Sequence, residues 1–201
     1  MKRIILLGPI FFAIILVTLT IVQYDFMRGL GWHPLNDPTF DWPSGLALGP
    51  YGIVMTATFI ISGLLIAVLA IRLKADLESD ITSQAGSVLL VLSGLALASL
   101  AFTTDPTIRS TPATWHGRIH DLSFVLLGLT LFPSMITLGF SFRQNEAWQK
   151  CSIYTWLTVI LVVPSFILKG VFFYIFLFAI LCWIEALAWK LSFSPTGATR
   201  S

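Results

Sequence analysis

The stretch FTTDPTIRSTPATWHGRIHDLS, residues 102–123, decides how the chain is read, because it is a polar island between two long apolar runs. It carries two of the three histidines, two of the ten acidic residues and two of the twelve basic ones. About 20 helical residues at about 1.5 Å each cross the roughly 30 Å hydrocarbon core of a bilayer. A polar break between apolar runs of that length is therefore expected to be a loop joining two membrane-crossing helices. Chemistry, if the protein performs any, is expected in this loop and in the one other long polar loop on the same side.

Working outward, 56% of the 201 residues are hydrophobic and only 11% are charged, with a mean hydropathy of +0.87. Soluble domains carry about 25% charged residues, so the composition points to an all-α polytopic membrane protein. The apolar runs give six expected spans in one bundle, at about residues 4–23, 51–73, 84–103, 118–142, 151–168 and 170–191. The first run is longer than the roughly 7–15 residues of a signal-peptide core and no small-x-small site follows it, so it is expected to be a retained span. The run at 84–103 is rich in Gly, Ser and Ala, which lets helix backbones approach closely in lipid, and is expected at the bundle centre. Residues 24–50 form an expected outer capping loop, rich in Pro, Gly and Trp and including His33, Asp41 and Trp42. Residues 192–201 read as a disordered tail.

Orientation follows from the cations, which favour the cytoplasmic side. Lys2, Arg3, Arg72, Lys74, Arg143, Lys150, Lys190 and Arg200 fall on one side, against Arg28, Arg109, Arg118 and Lys169 on the other, which is eight against four. Both termini are thus expected in the cytoplasm of a multi-pass cell-membrane protein, with the 24–50 loop and the polar island sharing the outer face. The net charge of +2 is small and forms no basic patch, so the expected partners are membrane lipids and not nucleic acid. Cys151 and Cys182 are expected at different depths, which disfavours a disulfide.

Two segments carry a family likeness. The outer loop reads DFMRGLGWHPL…DWPSGLALGPYG (residues 25–52). The island reads as an aromatic, Phe102, a Thr104-Asp105-Pro106 turn, then Thr114 before Gly117-Arg118-Ile119-His120. In these features the chain resembles the six-span bacterial and archaeal membrane proteins grouped as domain of unknown function 998. The resemblance implies the fold and the membrane location and supplies no activity. One departure lies in the last span, where members often place a Glu/Gln-Arg pair soon after the opening glycine; here Gly170 is followed by VFFYIF.

Several residues are candidates for chemistry. His116 and His120 are four apart and share a helix face if the helix begins by Trp115. Neutral imidazoles at that spacing suit a metal such as zinc, with His33, Asp105, Asp121 or Asp41 as a third ligand. In the alternative, His120 is a buried histidine bonded to Asp105 or to a backbone carbonyl, and His116 is an interfacial residue beside Trp115. Asp105 is either a loop-organising Asx residue or the group that orients His120, the two being the candidates for catalysis. Arg109 and Arg118 suit an anionic headgroup, and Ser123 lies on the His120 face. Glu185 is a charge inside the last span. The ligand-binding set is Thr104, Asp105, Gly117, Arg118, His120, Asp41, Trp42 and His33. The resemblance shifts weight from His116 to Thr104, Asp105, Gly117 and His120 and favours a structural Asp105–His120 pair. The expected function is the binding of a lipid-like or small amphipathic ligand at the outer face, the alternative being a metal-dependent hydrolase at that surface.

Overall fold

The computed structural model describes residues 4–36, 42–77, 80–106, 112–168 and 170–193. Among these residues the chain is helical throughout, with no strand: α1 (Leu7–Val22), α2 (Tyr24–Gly29), α3 (Gly52–Asp76), α4 (Ile81–Ser99), α5 (Trp115–Gln144), α6 (Gln149–Leu168) and α7 (Phe172–Phe193). Of these, α3, α4, α5 and α7 are long and apolar enough to cross a membrane; α1 is apolar and shorter. Their outward faces carry large apolar side chains such as Ile53 (77% exposed) and Phe178 (70% exposed), a surface that only lipid covers comfortably. Several helix hydroxyls are satisfied within their own turns, as suits a medium without water: Thr58, Ser93, Ser123, Thr158 and Ser165 each donate to the carbonyl four residues earlier.

Helix ends are set by caps more than by hydropathy. Helix α4 starts at Ile81, before residue 84 where its apolar run begins, because Asp80 and Ser83 form a capping box. The Asp80 carboxylate accepts from the Ser83 amide, and the Asp80 amide donates to Ser83 Oγ at 3.2 Å. The same helix ends at Ser99 and not at residue 103, since the amides of Leu100, Ala101 and Phe102 turn back onto the carbonyls of Leu97, Ala98 and Ser99. The carbonyls of Leu100 and Phe102 are thereby left without helical partners. Helix α5 runs unbroken through Pro133, and α6 contains Pro164. Gly170, at φ +54°, makes the turn between α6 and α7.

The six longer helices close into a ring in chain order: α1 on α3, α3 on α4, α4 on α5, α5 on α6, α6 on α7, and α7 back on α1, with α7 also touching α3. Helix α4 is thus one member of the ring and not its centre. Its small residues serve the seam with α3, where a side chain at Gly63 would come within 2.3 Å of the Gly94 carbonyl and one at Gly94 within 2.5 Å of the Gly63 carbonyl. At the end where α1 begins and α7 finishes, Ile5, Leu73, Leu77, Phe142, Trp148 and Leu191 share one buried cluster. Trp148 pins it: its indole N–H donates to Asp76 at 3.1 Å, its ring stacks on Phe142, and Lys190 lies over its face. A second cluster, including Phe12, Met27, Trp42, Met55, Phe59 and Phe173, fills the other end.

Gly63→Leu is expected to prise α3 from α4 and destabilise the fold by about 1–3 kcal/mol, read as a lower melting temperature in detergent. Asp80→Ala is expected to cost about 1 kcal/mol. Burial alone raises the Asp80 pKa, but hydrogen bonds from Ser83 and Thr82 outweigh it and hold the carboxyl below its ordinary value. Its stabilisation is accordingly present above the ordinary carboxylate range and is lost as pH falls through the lowered value. The melting difference between wild type and Asp80→Ala should therefore shrink on acidification.

Candidate functional site

The start of α5 is built as a knot. Thr114 is the N-cap: its hydroxyl accepts the Gly117 amide at 3.1 Å. Asp105 lies beneath and holds Thr114 twice, Oδ2 accepting the Thr114 amide at 2.7 Å and Oδ1 the Thr114 hydroxyl at 2.8 Å. A carboxylate there also meets the positive end of the α5 dipole. It comes so close that a Cβ at Gly117 would lie 2.1 Å from Asp105 Oδ2, so this position requires glycine. His116 folds back over the loop, its Nδ1 donating to the Thr103 carbonyl at 2.9 Å, and Trp115 packs edge-on against Phe102.

One turn further, His120 is 4% exposed and faces the end of α4. Its Nδ1 lies 2.7 Å from the Phe102 carbonyl and 3.1 Å from that of Leu100, the two groups that α4 leaves unpaired. Carbonyls only accept, so Nδ1 carries a proton. In the neutral ring Nε2 is then an acceptor, and Ser44 Oγ donates to it at 2.9 Å across 76 residues of sequence. The expected Asp105–His120 pair is not formed. Asp105 is drawn to the free amides of α5, whereas His120 lies a turn along, level with the free carbonyls of α4.

Ser44 belongs to the segment between α1 and α3, which contains α2 and a 3-10 turn over Ser44–Leu48 and caps one end of the ring. Gln23, buried at the α1–α2 joint, fastens it: Nε2 donates to the Leu46 carbonyl and Oε1 accepts the Tyr51 amide, both at 3.1 Å. Trp32 and Trp42 both lie in this cap. They are buried and stacked on each other, with Trp42 edge-on to Phe173 and Tyr174 and its indole N–H donating to Thr20 at 3.0 Å. The Tyr174 hydroxyl closes the cap by donating to the Pro34 carbonyl at 2.9 Å.

Beneath the cap, inside the ring, is a cavity of about 120 Å³. Pro43 and Ser44 form its cap end, Phe59, Leu97, Phe124, Leu127 and Phe176 are among its walls, and it reaches down to Pro9, Ile66 and Ile184. The walls are almost wholly apolar. One exception is Ser62, 3% exposed, whose hydroxyl is buried with no hydrogen-bond partner. A Cβ at Gly128, also in the wall, would meet nothing within 4 Å.

The sequence candidates thus divide. Asp105, Gly117, His116 and His120 come together around the α5 start with Thr103 and Thr114, and Thr104 donates to the Asp105 carbonyl at 3.3 Å. Trp42 joins the site through the cap. Arg118 and Asp121 are exposed, and Ser123 donates to the Ile119 carbonyl. His33 is exposed on the cap rim beside the Arg28 guanidinium, whose positive charge is a poor neighbour for a metal ion. Asp41 and Arg109 lie outside the described residues. Among the described residues no group of three His, Cys, Asp or Glu side chains is placed to hold a metal. Glu185 Oε2 is buried in α7 without a partner, and both cysteines are free. Sequence reasoning missed Ser44, Gln23 and Ser62. Gln23 alone left a trace, as a polar residue ending an apolar run.

An all-helical ring with a lipid-facing apolar surface and a capped apolar interior defines a polytopic helical membrane protein. Within that class, the chain belongs to the family described as "Protein of unknown function (DUF998)", whose model matches residues 9–190. No curated protein matches it. No solved structure matches it either. The family features quoted from the sequence, Phe102, Asp105, Thr114, Gly117 and His120, are the residues of the knot and of the histidine that ties it to the cap.

Asp105→Ala is expected to free the α5 N-terminus and lower stability by about 1–3 kcal/mol, since two buried-side donors lose their acceptor. Asp105→Asn, which keeps one acceptor oxygen, should recover part of that loss in the same melting experiment.

Proposed function

We propose that the protein is a six-span cell-membrane protein, α1 and α3 to α7 each crossing once with both termini in the cytoplasm, that holds a lipid-like amphipathic ligand in the capped cavity. Support for the orientation comes from the eight-to-four distribution of Lys and Arg. At 20 residues, α6 is about 30 Å long, and α1 is extended by the turns that flank it.

The observation that carries the ligand is the Ser62 hydroxyl, buried and unpartnered in the wall of an otherwise apolar cavity. A buried hydroxyl without a partner costs on the order of 1–3 kcal/mol, which a ligand oxygen beside it would recover. From Phe173 to Ile184 the lining follows α7 for roughly 16 Å at about 1.5 Å per residue, a length suited to a single extended hydrocarbon chain. Such a chain leaves one apolar medium for another, so the hydrophobic effect contributes little selectivity. Selectivity rests instead on the polar atoms at Ser62 and at the Ser44–His120 end.

Gly128→Leu tests this directly, because its side chain grows into the cavity from a position with open space. Native mass spectrometry of the delipidated wild type is expected to retain a lipid that Gly128→Leu loses, with no fall in melting temperature. Equal retention by both proteins would remove the cavity as the site. The orientation is checked by reporter fusions at the C-terminus, which should be active only for a cytoplasmic reporter.

A further inference from the structure

Resting on that ligand-binding reading, we propose that Ser44 and His120 are a nucleophile–base pair for acyl transfer, acting on the carboxylic ester of a single-chain lipid whose hydrocarbon lies in the cavity. Three features of the pair argue for it. The Ser44 hydroxyl is within hydrogen-bond reach of His120 Nε2, at 2.9 Å. The imidazole is oriented from behind, its Nδ1–H held by the Phe102 and Leu100 carbonyls, so Nε2 is the basic nitrogen and points at the hydroxyl. A nucleophile, a base in contact with it and a third group fixing the base is the arrangement that activates serine. Ser44 also lines the cavity, which continues from it between Phe59, Leu97, Phe124 and Phe173. A chain seated there presents its carboxyl-derived end to Ser44.

The chemistry balances without a further cofactor. Ser44 Oγ attacks the ester carbonyl carbon while its proton passes to His120 Nε2. The bond to the leaving alcohol then breaks, and that alcohol takes the proton from Nε2, leaving an acyl-Ser44 ester and a neutral imidazole. Water, or a second alcohol, attacks the acyl carbonyl, giving its proton to Nε2, and Ser44 leaves with that proton to restore the starting pair. Throughout, the Nδ1 proton stays on the ring, where the two backbone carbonyls stabilise the transient imidazolium. Ser123, which shares the helix with His120, takes no part, since its hydroxyl is committed to Ile119.

The test uses the full-length protein in lipid nanodiscs with a long-chain alkyl fluorophosphonate and its ethyl counterpart, both of which phosphonylate activated serines with loss of fluoride. Peptide mapping is expected to place a single adduct on Ser44, formed faster by the long-chain reagent. The adduct should be absent from Ser44→Ala and form roughly 100-fold or more slowly in His120→Gln. Gly128→Leu should slow only the long-chain reagent. Melting temperatures taken alongside show whether each variant is folded. A wild-type protein that gains no adduct on Ser44, or a folded His120→Gln that reacts at the wild-type rate, overturns the proposal. If lipid is still retained in native mass spectra when no adduct forms, the acyl chemistry falls and the binding reading stands; loss of both takes down both.

Discussion

The structure turns on the imidazole of His120. An α-helix leaves its last carbonyls without partners, and in a lipid environment no water is at hand to satisfy them. Helix α4 ends in a tightened turn, and the Leu100 and Phe102 carbonyls just beyond it are met by His120 Nδ1 from the next helix. The other ring nitrogen receives Ser44 from the cap. A single side chain therefore joins the end of α4, the first turns of α5 and the cap. Asp105, Thr114 and Gly117 support it from one side by fixing where α5 begins, and hence how far along α5 His120 lies.

The cap depends on the same constraint. Its buried tryptophans pack against Phe173 and Tyr174 of α7, and Gln23 ties it to the α1–α2 joint and to the start of α3. It thus touches the ring on several sides while covering its interior. The ring itself needs no filled centre, because each helix buries area against its two neighbours, most closely at the Gly63–Gly94 seam. What remains beneath the cap is an apolar space with Ser62 in its wall and Ser44 at its cap end. A packed interior normally has few voids larger than a water molecule. This one, at about 120 Å³, is larger than that and almost wholly apolar.

Much of the fold was legible in the sequence for a plain physical reason. Apolar runs separated by polar islands are dictated by bilayer thickness, so the helices were expected where they lie, within a few residues. The errors fall at the ends, where hydropathy carries no information and caps decide. Asp80 starts α4 early, Thr114 starts α5 early, and the tightened turn over Leu97–Phe102 ends α4 sooner. Glycine content marked α4 as a close-packing helix but not its place, since small residues permit close approach without saying to which neighbour.

The site was legible only in part. Asp105, Thr114, Gly117 and His120 stand close in sequence, and the family likeness singled them out together. The partner of that histidine could not be read, because backbone carbonyls have no sequence signature and Ser44 is one serine among many, 76 residues away. Nor does sequence mark Ser62: a serine in an apolar helix usually bonds its own i−4 carbonyl, and only the tertiary structure shows a buried hydroxyl without a partner. Sequence alone determined the helices and their apolar faces, both consequences of local periodicity and the solvent. Tertiary structure decided which groups complete His120, how the cap sits and that a cavity lies under it, because those follow from contacts between segments that periodicity does not relate.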